Sequence, residues 1–295
     1  MQFHFYRKGV LVLKCLLRAL ISISLISSLI FSACGFREAS SGSRVMRVHC
    51  IDVGQGDSIL IQAGGVNMLI DAGPADSADS LIAYLRKQDV QKLHYIIATH
   101  PHEDHIGGMA SVIRKFEVGE FYAPRVTASS SCFAEMVSSL KRKGIKINPA
   151  RAGIAIDLGS GSRCTMLAPS SESYGNLNNY SAVLKVTYGS SSFLFTGDAE
   201  ELAEAEFAGS GADIDCDVLK AGHHGSSTST SSLLLGAASP EIAVISVGRR
   251  NDFGHPSRKV LNSFDNMGVQ VYRTDIDGTI FFESDGKRVM KKQNP

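Results

Sequence analysis

The chain lacks any large excess of charge: 30 Lys and Arg stand against 29 Asp and Glu, a formal net of +1 over 295 residues. That balance argues against stable duplex binding through general phosphate neutralisation. The notable basic groupings, Lys141-Arg142-Lys143 and the late Lys287-Arg288 and Lys291-Lys292, read as a solvated helix end and a solvated tail. Long apolar runs are absent too. Residues 19–31 make a run of about 13, short of the roughly 20 that a spanning helix needs. No Gly-Lys-Ser/Thr follows a glycine loop, which excludes a nucleotide P-loop, and no cysteine spacing forms a zinc knuckle. Finally, no histidine occurs between His105 and His223.

Histidine is instead concentrated in Thr99-His100-Pro101-His102-Glu103-Asp104-His105-Ile106-Gly107-Gly108, which puts three imidazoles and two carboxylates into six residues. The apolar run 93–98 before it predicts a buried strand. The polar turn that follows, ahead of Gly107-Gly108 and a helical stretch over 109–116, lets several side chains converge on one point. His100 and His102 are two apart, the spacing by which extended residues share a side. Neutral imidazoles with a carboxylate suit zinc, manganese or iron. His102 and His105 serve no apolar periodicity, so metal ligation explains them better than a chance polar loop.

The motif resembles the first ligand motif, His-x-His-x-Asp-His, of the metallo-beta-lactamase superfamily. More narrowly, the chain is similar to the soluble beta-lactamase-like domain of bacterial DNA-uptake (competence) channel proteins. Further stretches in the same order carry that resemblance: His49-Cys50-Ile51-Asp52-Val53-Gly54-Gln55-Gly56-Asp57-Ser58, Leu69-Ile70-Asp71-Ala72-Gly73, Asn178-Asn179-Tyr180-Ser181-Ala182, Phe195-Thr196-Gly197-Asp198-Ala199-Glu200, Leu219-Lys220-Ala221-Gly222-His223-His224-Gly225-Ser226 and Asn251-Asp252-Phe253-Gly254-His255-Pro256. The resemblance spans about residues 44–284.

The resemblance implies a site. Asp198, delivered by the strand-like run 193–196 into a glycine turn, becomes the carboxylate bridging two metals; the competing reading is a helix N-cap. Asp71 becomes the brace that fixes a ligand imidazole. Many relatives place a ligand histidine where this chain has Asn178, Asn179 and Ser181, so the first metal position has His100, His102 and Asp198 without a third imidazole. The second has Asp104, His105, Asp198 and a late histidine. By analogy with RNA-processing phosphodiesterases of the superfamily, one of His223 and His224 sits over the leaving group and His255 closes the metal shell; the opposite allocation stays open. One or two divalent ions, zinc or manganese, are expected, one tight and one weaker. The glycine loop 52–58 is expected beside the site, and the hydroxyl-rich stretch 225–230 suits a phosphate oxygen.

Short strands are predicted at 45–51, 58–62, 67–70, 93–98, 120–123 and 164–167, with helices at 77–87, 106–116 and 130–143. A second half follows, with a hairpin of 182–188 and 193–196, strands at 218–220, 242–247, 269–272 and 279–283, and helices at 200–207 and 257–267. The expected fold is α/β, a four-layer αββα sandwich with ligands on loops at one edge, as one domain over 45–295. Residues 1–33 carry Arg7, Lys8, Lys14 and Arg18 without an acid and read as an export signal. Residues 34–44 read as a tether, with Cys34 resembling an acylated lipoprotein cysteine and Gly35 fitting release toward an outer membrane. Loss of the leader's four positive charges leaves about -3. Cys50, Cys132, Cys164 and Cys216 allow disulfides after export, although Cys50 and Cys164 also suit a core.

The function expected is an exported metal-dependent hydrolase using metal-activated water, a phosphodiesterase or nuclease acting on nucleic acid, with Asp104, His223, His224 and Asp71 serving catalysis. The alternatives are hydrolysis of a beta-lactam, lactone or thioester, and a non-catalytic envelope module binding DNA or a protein partner.

Overall fold

The computed structural model describes residues 45–294; the leader, the tether and Cys34 lie outside the described residues. Two sheets pack face to face. The first has the order β15-β14-β1-β2-β3-β4-β5-β6. Its strands are β1 (Met46–Cys50), β2 (Ile59–Ala63), β3 (Val66–Ile70), β4 (Lys92–Ile97), β5 (Glu117–Ala123), β6 (Ile147–Pro149), β14 (Ile280–Ser284) and β15 (Val289–Lys292). The second has the order β13-β12-β11-β10-β9-β8-β7. It comprises β7 (Ala155–Gly159), β8 (Ser162–Ala168), β9 (Val183–Tyr188), β10 (Ser191–Phe195), β11 (Val218–Lys220), β12 (Ile242–Ile245) and β13 (Gln270–Arg273).

The layers follow from the period of two along strands buried on both faces. Met68 and Ile70 of β3 join the inter-sheet core, while Leu69 between them joins a second cluster. That cluster includes residues of α1 (Ala78–Lys87), α2 (Glu103–Ile106), α3 (Met109–Lys115) and α4 (Ser131–Arg142). On the other sheet Phe193 and Phe195 point inward and Leu194 outward. The outward cluster is covered by α5 (Glu201–Gly209), α6 (Ser232–Ala238) and α7 (Arg258–Asn266). A short α8 (Thr274–Asp277) precedes β14. The result is the four-layer αββα sandwich.

The division into two sequence halves needs correction. Residues 164–167 lie in β8 of the second sheet, and the last two strands return to the first, where β14 pairs antiparallel with β1 from Met46 opposite Ser284 to Cys50 opposite Ile280. Apolar alternation marks a strand without naming its neighbour. Likewise Lys291 and Lys292 belong to β15, the edge strand paired with β14, rather than to a tail. The helix expected over 106–116 is two helices, broken at Gly107-Gly108, where a Cβ on Gly108 would meet the Ala72 carbonyl oxygen at 2.4 Å. The four cysteines within the described residues are free thiols, and burial pushes those of Cys50, Cys164 and Cys216 up to about 12. Among the described residues no helix is long and apolar enough to cross a membrane.

In both sheets the strands next to the site run parallel, β3 with β4 and β10 with β11 and β12. Parallel neighbours end on the same side, so the loops after them converge at one sandwich edge.

Candidate metal centre

Asp71 follows β3, His100 to His105 follow β4, Asp198 follows β10, and His223 and His224 follow β11. Asp104, His105, Asp198 and His224 each offer a ligand atom within 4.8 Å of all the others. Asp198 is the hub. Its Oδ1 lies 3.2 Å from His105 Nε2, and its Oδ2 lies 3.5 Å from His224 Nε2 and 3.8 Å from both His100 Nε2 and His223 Nε2. His224 Nε2 is also 3.0 Å from Asp104 Oδ2. Beside this set, His100 Nε2 and His102 Nδ1 face each other at 2.9 Å. His255 stands outside it, its ring 5.5 Å from that of His223.

The residues behind these ligands fix which nitrogen faces inward. His105 Nδ1–H donates to Asp71 Oδ2 at 2.7 Å, and His224 Nδ1–H donates to the Ser246 carbonyl at 2.9 Å, so each ring presents Nε2 to the carboxylates. Fully buried Asp71 also accepts from the Thr99 amide and hydroxyl, which locks the start of the histidine loop. A second acidic grouping, Asp57, Asp71 and His105, lies here too. Its carboxylates are already engaged: Asp71 as described, and Asp57 with the buried Lys220 amine at 2.5 Å. Lys220 also donates to the Gly197 carbonyl, next to Asp198, at 3.2 Å. It shares the inward side of β11 with Val218, two residues earlier, which drives its amine into the interior.

The donor set fits a divalent cation. His105 Nε2 and Asp198 Oδ1 are buried, face each other and have no hydrogen-bond partner. Burial pushes His105 and His224 down, yet Asp198 and Asp104 outweigh it, with Asp71 for His105 and Asp57 for His224, and both imidazoles rise well above 6.5. Burial raises Asp198, but His105 and His224 outweigh it and hold the carboxyl well below 3.8. Four carboxylates, Asp57, Asp71, Asp104 and Asp198, gather here against the single buried amine of Lys220. His100 is lowered well below 6.5 by burial and by His105, so it stays a neutral donor.

This arrangement agrees with what the chain is similar to. The metallo-beta-lactamase superfamily profile matches residues 51–249. The chain belongs to this superfamily. It is 31% identical over 253 residues to ComE operon protein 3 of Bacillus subtilis (strain 168), covering 79% of this chain and 32% of that protein. It is also 31% identical over 235 residues to Competence protein ComA of Neisseria gonorrhoeae, covering 78% and 31%. The chain thus spans about a third of the length of these curated relatives. Among solved structures, the metallo-beta-lactamase fold protein YhfI from Bacillus subtilis matches with a TM-score of 0.56 and 16% identity, covering 81% of this chain and 99% of that one, a likeness of fold. With the clustered ligands, family membership makes the chain a metal-dependent hydrolase, with a divalent metal cofactor.

Two features at the site have no clear mark in the sequence. His223 and His224 are both left-handed, with φ of 48° and 53°, an arrangement costly for non-glycine residues that turns neighbouring rings to different surroundings. Lys220, in an apolar strand, reads as an ordinary strand-end lysine until Asp57 is placed against it. The glycine loop does lie beside the site: Asp57 N donates to the Asp104 carbonyl at 3.1 Å, and a Cβ on Gly56 would meet that same oxygen at 2.2 Å.

Proposed function

We propose that the protein hydrolyses a phosphodiester of nucleic acid. The observation that carries this reading is His223. Its Nε2 faces Asp198 while a quarter of its side chain stays exposed, so it stands at the mouth of the ligand set. Its Nδ1 lies 3.4 Å from Thr228 Oγ1 and 3.5 Å from Glu200 Oε1, two groups that orient the ring. The competence-associated relatives support the choice of nucleic acid.

In this proposal Asp104, His105, Asp198 and His224 hold one divalent cation, zinc or manganese, and His100, His102 and Asp198 hold a second, weaker one. Cations held there supply Lewis acidity and acidify water at neutral pH. By holding Nδ1–H of His105 and His224, Asp71 and the Ser246 carbonyl would leave Nε2 of each ring to face a bound cation. His223 carries the proton for the departing oxygen, and the Ser226 and Thr228 hydroxyls flank it toward a phosphate oxygen. We further propose that the domain works outside the cytoplasm, with Cys34 acylated, which the basic and apolar composition of residues 1–33 supports; labelled palmitate retained by Cys34→Ala would count against it.

The test is a turnover screen of manganese- and zinc-loaded protein on single- and double-stranded DNA, RNA, bis-p-nitrophenyl phosphate and nitrocefin. Phosphodiester cleavage lost in Asp198→Ala supports the reading. Metal-replete protein inert on every phosphodiester, or turning over nitrocefin alone, overturns it.

A further inference from the structure

Phe253 is the most exposed large apolar side chain among the described residues, at 69%. A single exposed apolar residue ordinarily means little. This one is held in place. It sits in the loop after β12, where the Asn251 carboxamide makes four hydrogen bonds to the loop's own backbone. Nδ2 donates to the carbonyls of Gly248 (3.1 Å) and His255 (2.7 Å), and Oδ1 accepts from the amides of Phe253 (3.1 Å) and His255 (3.0 Å). The Phe253 ring stacks on His255 with centroids 5.8 Å apart and planes 25° apart. His255 in turn meets His223 edge-on at 5.5 Å, and His223 Nε2 lies 3.8 Å from Asp198 Oδ2. A ladder of three rings therefore runs from the ligand set to an open aromatic face. The same loop exposes Arg249 and Arg250, in a protein otherwise without strong basic character.

We infer that Phe253 is a stacking platform for an unpaired base of a single-stranded nucleic acid whose backbone lies along the Arg249-Arg250 loop. An open aromatic face accepts any base by its π-surface, and the exposed guanidinium groups of the same loop, of which Arg249 also donates from Nε to the Asp275 carbonyl at 3.3 Å, suit the adjoining phosphates. A base inside a duplex has both faces covered, so the platform selects unpaired strands. Because Asn251 fixes the loop beforehand, little ordering is left for binding to impose. His255 serves as the rigid backing of the platform. The inference rests on the nucleic-acid reading of the metal centre and adds strand type and a recognition residue to it.

The experiment is a binding titration of the full chain in EDTA, so that no hydrolysis intervenes, by fluorescence anisotropy. The probes are a labelled oligothymidylate of about 12 nucleotides and an abasic strand of equal length, within the span of such sites. Phe253→Ala is expected to weaken oligothymidylate binding about 5- to 150-fold and to leave abasic binding unchanged, with Phe253→Trp restoring it. Equal affinity for the two strands, no measurable oligothymidylate binding, or an unaffected Phe253→Ala overturns the platform. Circular dichroism of each variant separates lost stacking from lost fold. Base-dependent binding without any cleavage would remove the hydrolytic reading and leave the platform. Cleavage by Phe253→Ala with unchanged KM would do the reverse.

Discussion

Replacing Lys220 by methionine is expected to destabilise the domain by about 3 to 5 kcal/mol, because it leaves a buried carboxylate without its counter-charge. Lys220 and Asp57 are each 1% exposed and their charged atoms are 2.5 Å apart. With the amine gone, Asp57 Oδ2 loses its partner, and Oδ1 already has no hydrogen bond. Burial pushes Asp57 up, but Lys220, aided by His224, overrides it and brings the carboxyl from 3.8 down to about 2. In a domain of this size each kcal/mol moves Tm by about 2 to 4 °C, so Lys220→Met should melt roughly 6 to 20 °C lower. The assay is thermal and urea unfolding by circular dichroism in EDTA, which removes metal linkage. The double variant Asp57→Asn/Lys220→Met should recover most of the loss, since both charges leave together. The pH dependence has a definite sign: a carboxyl depressed in the fold stabilises above its unfolded value near 4, and that contribution fades as pH falls toward about 2. Wild-type protein should therefore lose more stability over that acid interval than the double variant. A single variant melting within about 2 °C of wild type, or no higher recovery in the double variant, would refute the argument.

Three further outcomes are expected. Asp71→Asn should lower metal affinity about 10- to 100-fold by calorimetry, because an amide offers one acceptor oxygen where three donors now point; unchanged affinity would deny Asp71 its bracing role. His224→Ala should reduce metal stoichiometry after dialysis, whereas His223→Ala should keep it and slow phosphodiester turnover about 100- to 10,000-fold; elemental analysis beside kinetics reads both, and a deficit in His223→Ala with full metal in His224→Ala would reverse the two roles. Gly56→Ala should cost about 1 to 3 kcal/mol and weaken metal binding, since its new Cβ must displace the Asp104 carbonyl; a variant with wild-type urea midpoint and metal affinity would contradict that.

The histidine cluster and Asp198 were legible because each follows an apolar run directly, and a strand end with sudden polarity is a local signal. Most strands and the helices at 78–87, 131–142 and 258–266 were legible through apolar periodicity. What escaped was long-range. The sequence around β14 says strand but cannot say that Phe282 will lie opposite Val48. Asp57 and Lys220 carry no common pattern, and only the closing of the two sheets brings them together. The placement of His224 rather than His255 among the carboxylates depends on two successive left-handed residues, a backbone choice that adjacent identical side chains do not announce. Arg249 and Arg250, separated from Phe253 by Asn251 and Asp252, form no basic run in the sequence.

β1 lies between β2 and β14, so residues near the start of the described chain complete their ladder only with residues near its end. During synthesis, β1 leaves one side unpaired until residues 280–284 have emerged, and loop closure over such a span is slow. The segment 52–58 hangs between β1 and β2 and supplies Asp57, the partner of Lys220. Nascent chains lacking their final two strands are accordingly expected to hold metal poorly even though every ligand has already been made.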